Sequence, residues 1–197
     1  MQDVVEEAQA KVIATGRNAA EQRQTRQALR RAVPGAKVRS SGFTNVFVLE
    51  APGDSLAIAQ QVTQQCAARI GHATAVIAET ISQTEHIQEA VVRVGLEQVS
   101  RDETFCFRLR KRGSHWLRAP TPEIEVQIGS ALWLALQERD GERPGVELRE
   151  PDVLILAEVL GPTTAVGIVR KAWREATAMP EAVAKVETLP PEPQDDQ

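Results

Sequence analysis

The chain has 197 residues and 21.6 kDa, with 42% hydrophobic and 25% charged side chains, a composition that holds one large or two small globular domains. Its 23 basic and 27 acidic residues leave a net charge of −4, which as an average argues against a basic nucleic-acid binder and against adhesion to an acidic membrane surface. No stretch approaches the roughly 18 uninterrupted apolar residues of a membrane span, the start Met1-Gln2-Asp3-Val4-Val5-Glu6-Glu7 is acidic where a secretory signal is basic, and Cys66 and Cys106 stand 40 apart without a CxxC. A cytoplasmic protein without a disulfide framework or zinc site is the expectation.

In chain order, Lys11–Arg17 reads as a strand and Glu21–Val33 as a helix, with Thr25, Leu29, Ala32 and Val33 on its buried stripe. Pro34-Gly35 stops it. Lys37–Ser40 and Phe43–Ala51 are predicted strands across Ser41-Gly42. Pro52-Gly53-Asp54-Ser55 opens a second helix in which Ile58, Val62, Cys66 and Ile70 recur every fourth residue, with Gly71 ending it. Ala73–Ile81 is a buried strand. The order β-α-β-β-α-β over residues 1–82 is that of a ferredoxin-like unit.

Residues 83–178 form the second predicted unit. Ser82-x-x-Glu85 has the form of a capping box for a helix carrying Ile87, Val91, Val94 and Gln98. Glu103–Arg110 alternates strictly, with Phe105, Phe107 and Leu109 on one face and Cys106, Arg108 and Arg110 on the other. Thr121-Pro122-Glu123 starts a helix with Thr121 as its cap and Ile124, Ile128, Leu132 and Ala135 as its core face. Val153–Val159 and Thr164–Arg170 are strands across Gly161-Pro162, and Lys171–Ala178 is a short helix. The segment 179–197, with five acids, one base and four prolines, reads as a disordered tail. The fold class is therefore α+β.

Charge is unevenly spread. Residues 11–39 carry +7 and residues 101–118 carry +4, whereas 119–158 carries −6; without the tail the body has 22 bases and 22 acids. No GxGxxG, phosphate loop or GxSxG elbow occurs, and the three histidines are scattered. Spacing leaves a Cys106–His115 nucleophile pair open, although a strand cysteine more often fills a small half-buried site. Glu123 and Glu125 read as ordinary surface charge. No cofactor site is visible.

The run Arg108-Leu109-Arg110-Lys111-Arg112-Gly113-Ser114-His115-Trp116 is the sharpest feature. A period of two places Arg108, Arg110 and Arg112 in a row at about 6.5–7 Å intervals, suited to serial phosphate contacts. Trp116 is placed to stack on an unpaired base and His115 to bond a phosphate or 2′-hydroxyl. The competing reading is a solvated sheet face with its charges paired to the acidic segment 119–158. Arg23, Arg26 and Arg30 share one face of the first helix, either as a second basic patch or as an ordinary solvated face, and Lys171 is compatible with the same surface.

The run Phe105–His115, then Gly129 within the next helix, then Leu148-Arg149-Glu150-Pro151-Asp152-Val153 resembles a THUMP domain over roughly 83–172. The preceding unit is similar to the ferredoxin-like domain that usually accompanies it. The resemblance implies binding of tRNA at the acceptor stem and 3′ end, through positions matching Arg108, Arg110, Lys111, Arg112 and His115. It further implies structural roles for Pro151 and Asp152 and close helix–sheet packing at Gly129. The chain is more like stand-alone THUMP proteins that assist a tRNA acetyltransferase than like fused modification enzymes. The expectation is a non-catalytic tRNA-binding adaptor for a separate modifying enzyme, needing no cofactor. The alternatives are a ferredoxin-like regulatory or small-molecule-binding module, and an enzyme using Cys106.

Overall fold

The computed structural model describes residues 9–113 and 116–177. The predicted tail 179–197 and His115 lie outside the described residues. β1 (Gln9–Gly16), α1 (Gln22–Ala32), β2 (Lys37–Ser40), β3 (Val46–Pro52), α2 (Ser55–Cys66) and β4 (Ile70–Ile81) make the first half. α3 (Thr84–Gln98), β5 (Thr104–Lys111), α4 (Thr121–Asp140), β6 (Gly145–Val146), β7 (Val153–Val159), β8 (Thr163–Arg170) and α5 (Lys171–Thr177) follow. The eight strands form one mixed sheet in the order β2-β3-β1-β4-β8-β7-β5-β6.

The first four strands are antiparallel, in the order of a ferredoxin-like unit. β8 runs antiparallel to β4 and β7, while β5 is parallel to both β7 and β6. Parallel neighbours need a crossover, which α4 supplies between β5 and β7. β4 pairs with β1 through its first half and with β8 through its second, and its register shifts between Val76 and Ala78. At that seam Gly167 faces β4 so closely that a Cβ would lie 2.0 Å from the Ala75 carbonyl oxygen.

Two apolar clusters hold the layers together. Val12, Ala14, Leu29, Phe47, Leu49, Ile58 and Val62 pack under α1 and α2, and the cluster continues to Leu156, Val169 and Trp173 of the second half. Under α3 and α4 lie Ile87, Val91, Phe105, Phe107, Leu109, Ile128, Leu132, Ile155 and Ile168. Successive β7 residues thus feed opposite clusters, Ile155 one and Leu156 the other, which explains why this strand is apolar without alternation. Each large side chain so buried contributes roughly 1.5–3 kcal/mol.

Several predicted details change. The third strand starts at Val46, not Phe43, because Asn45 takes φ 62° in a turn closed by Ser41 N–H on the Val46 carbonyl (3.0 Å). α2 ends at Cys66; Ile70 belongs to β4, where it pairs with Gly16, so Gly71 ends no helix. Ser82 forms no capping box. Its hydroxyl donates to the Gly161 carbonyl (2.8 Å) and lies 2.9 Å from Thr164 Oγ1, and Gln83 caps α3 without a side-chain bond. Pro120 rather than Thr121 is the cap of α4, and Leu136 replaces Ala135 on its core face. β6 goes unpredicted because two residues carry no period.

Gly129 does not serve close packing, since a Cβ there meets nothing within 4 Å. That role belongs to Gly95 of α3, where a Cβ would sit 2.3 Å from Leu132 Cδ1. Two glycine substitutions therefore separate in sign. Gly167→Ala forces the β4–β8 backbones apart and lowers unfolding free energy by about 1–3 kcal/mol or more. Gly129→Ala gains helix propensity in open space, up to about 1 kcal/mol. Denaturant titration of both variants checks the pair.

Candidate nucleic-acid interface

Alternation along β5 sends Phe105, Phe107 and Leu109 into the α3–α4 cluster and turns Cys106, Arg108 and Arg110 to the other face. In register on β7 stand Leu154, Leu156 and Glu158. Arg112 extends the row past the strand end, its backbone N–H donating to the Val159 carbonyl (3.1 Å). Arg108, Arg110 and Arg112 are thus brought together as the sequence predicts.

Their engagements differ. Arg108, with 39% of its side chain exposed, donates from Nη2 to the Leu148 carbonyl (3.2 Å) and lies 3.8 Å from the Glu125 carboxylate. Arg110 Nη1 lies 3.3 Å from His72 Nε2. Arg112 donates from Nε to Glu158 Oε2 (3.0 Å) and from Nη2 to Thr15 Oγ1 (3.2 Å). Lys111, one residue out of phase with the row, donates from Nζ to the carbonyls of Leu117 (3.2 Å) and Ala119. It therefore anchors the basic loop. Trp116 is exposed (45%) beside Gly161.

Glu158 is wholly buried (0%), a placement that costs several kcal/mol unless the charge is paired. Burial alone pushes its carboxyl upward, but the hydrogen bond from His72 and the charge of Arg112 outweigh it and hold it below the usual range. His72 Nε2 is 3.4 Å from Glu158 Oε1. Burial pushes this imidazole below its ordinary value; Arg110 and Arg112 push the same way and Glu158 opposes. The histidine is accordingly neutral beside an ionised carboxylate.

On α1, Arg23 and Arg30 are exposed. Arg26 is not a solvated companion to them, because its guanidinium lies over the Phe47 ring at 5.8 Å and its Nε is buried without a hydrogen-bond partner. Lys171 opens α5, half-buried, its N–H donating to the Asp152 carbonyl (2.9 Å). Sequence reasoning misses Thr15, His72 and Glu158, which join the row only through tertiary contacts. It also misreads Glu125, whose Oε1 accepts the Leu109 N–H (2.8 Å).

Beside the row, a groove of about 610 Å³ runs between α4 and the β5–β6 edge, lined by Phe105, Phe107, Val126, Trp133, Leu134 and Leu148 among others. Cys106 is buried along it, and burial pushes the other thiol, Cys66, upward in pKa. Among the described residues no group of three or more metal-ligating side chains gathers, and no helix is long and apolar enough to cross a membrane.

Residues 82–169 match the THUMP domain family, so the chain carries a THUMP domain there. No curated protein matches the sequence. Among solved structures, PH1313 from Pyrococcus horikoshii Ot3 is similar at 13% identity and a TM-score of 0.57, over 82% of this chain and 54% of that one. TrmN from Thermus thermophilus matches at 19% identity and 0.52, over 82% and 45%. A 4-thiouridine synthetase in complex with RNA and bound ATP matches at 17% and 0.55, over 83% and 42%. The likeness is one of fold, and the chain spans about half the length of these proteins.

The His72–Glu158 pair makes a pH dependence. The groups facing His72 are Glu158 on β7, Arg110 on β5 and Arg112 just past it. Folding holds His72 neutral, so the unfolded chain binds the proton first as pH falls through 6.5, and stability declines there. Glu158 acts in the same direction at lower pH. Its contribution is complete above its ordinary 4.5 and is lost as pH falls through its lowered folded value. Unfolding free energy measured from about pH 7.5 down to about pH 5 therefore falls, and His72→Gln flattens the upper part of that slope. A profile that His72→Gln leaves unchanged contradicts the assignment.

Proposed function

We propose that this chain binds tRNA through its THUMP domain and presents the acceptor-stem region to a separate tRNA-modifying enzyme, itself performing no chemistry. The observation that carries the reading is the pair Arg108 and Arg110 in register on β5, continued by Arg112 past the strand end, with Trp116 exposed four residues further on, all within the matched domain. Guanidiniums two residues apart on a strand meet successive phosphates, and the indole stacks on a splayed base. That a fold-sharing 4-thiouridine synthetase was captured with RNA supports the substrate class. Placing the modifying chemistry on another protein, an acetyltransferase by analogy, follows the resemblance to stand-alone THUMP proteins. A cytoplasmic location accords with such a role.

The open groove favours one second reading, a module that holds a small apolar ligand in place of RNA. The absorbance ratio of the purified protein distinguishes the two at the outset. In the direct test, Arg108→Ala with Arg110→Ala weakens binding to unfractionated tRNA and lowers the slope of log affinity against log salt by about one for each phosphate no longer neutralised. Trp116→Ala weakens binding without changing that slope. Unchanged binding in the double arginine variant sinks the site assignment.

A further inference from the structure

Among the described residues Glu158 is the one charged side chain that is fully buried. It follows Leu154 and Leu156 on the same face of β7, where a further apolar residue would pack without a desolvation cost. A carboxylate in this place is tolerated only through specific partners, and each of its two oxygens leads to a different guanidinium. Oε2 receives Arg112 Nε at 3.0 Å, and Arg112 Nη2 is held on its far side by Thr15 Oγ1 at 3.2 Å. Oε1 lies 3.4 Å from His72 Nε2, which in turn lies 3.3 Å from Arg110 Nη1.

Nε2 serves one neighbour at a time: with its proton it donates to Glu158, and without it it accepts from Arg110. The ionised carboxylate therefore favours the protonated ring nitrogen, so the ring does not take up the donors of Arg110, whose Nη1 stands 3.3 Å from it. Arg112 keeps donors on Nη1 while its Nε and Nη2 are fixed, so it is oriented without being used up. The alternative is that Glu158 merely neutralises the row, and the two roles differ in sign. Loss of a clamp weakens anion binding, whereas loss of a neutralising charge strengthens it.

We propose that Glu158 is a positioning residue for the phosphate-contacting face, orienting Arg112 directly and Arg110 through His72. The proposal rests on the RNA-binding reading above and names the buried group that arranges its cations before the ligand arrives.

The experiment uses the full chain, unfractionated tRNA and a salt series. Glu158→Gln keeps the shape and removes the charge. Its expected result is an affinity lowered between about threefold and tenfold, with a salt slope smaller by about one. In the Glu158→Gln, Arg112→Ala double variant, the loss of affinity is expected to fall short of the sum of the two single losses, because the carboxylate acts in part through that arginine. Affinity in Glu158→Gln equal to or tighter than wild type, or losses that simply add, overturns the proposal. Where circular dichroism shows Glu158→Gln unfolded, Thr15→Val removes only the outer restraint on Arg112. A loss in the same direction is expected from it, and no loss overturns the proposal. Wild-type protein that fails to bind tRNA defeats the RNA-binding reading itself, and this inference with it; a binding wild type with an indifferent Glu158 defeats this inference alone.

Discussion

The pairing of β4 with β8 is the constraint on which the remaining architecture depends. Without it the chain would be two small sheets; with it, β4 serves two partners along its length and the eight strands become one surface. Two local devices permit the join. The register shift after Val76 lets the strand bend from one partner toward the other, and Gly167 lets the β8 backbone approach where any side chain would strike the Ala75 carbonyl. Ser82 and Thr164 bond to one another at the end of the same seam. The core follows suit, because the cluster under α2 continues into Leu156, Val169 and Trp173.

That join also brings His72 and Thr15, from the first half, to the basic row of the second. The row is consequently not a uniform patch. Lys111 ties down its own loop, Arg112 is committed on two sides, Arg110 rests against an imidazole, and Arg108 is more exposed than Arg112. Pairing with the acidic segment 119–158, the competing reading of these charges, is present in part: Glu125 and Glu158 come from that segment, one near Arg108 and one bonded to Arg112. Pairing at one edge of a guanidinium leaves its other donors available. Net charge over the whole chain carries none of this information, because the arrangement is decided within a few ångströms.

Periodicity reaches only as far as one element and its immediate core. The inward positions of α1 and the two faces of β5 are legible because burial repeats with the backbone period. Glu158 is the opposite case. Its alternation with Leu154 and Leu156 marks a buried position, yet its partners lie 46 and 86 residues away in sequence, and no local pattern names them. Ser82 fails for a related reason. A capping box is a local bond, and it yields here to tertiary partners 79 and 82 residues distant. Between Gly95 and Gly129, both within helices, sequence offers no criterion, because what matters is the presence of Leu132 opposite one and open space opposite the other.

The motif that carries the family resemblance acts on the basic strand from both ends. Asp152 Oδ2 accepts from the Thr104 backbone (2.9 Å) and hydroxyl (2.7 Å), and the Thr104 hydroxyl lies 3.0 Å from the Asp152 N–H. This reciprocal pair fixes the start of β5 against the start of β7 and so sets the register that places Arg110 opposite Glu158. Pro151, buried just before, restricts the backbone leading into β7. Leu148, at the other end of the motif, offers its carbonyl to Arg108. A slip of one residue between the two strands would turn the arginines into the α3–α4 cluster and Phe107 outward. The Pro-Asp element is therefore scaffold, and its function is to hold the guanidinium row in phase with the buried carboxylate beneath it.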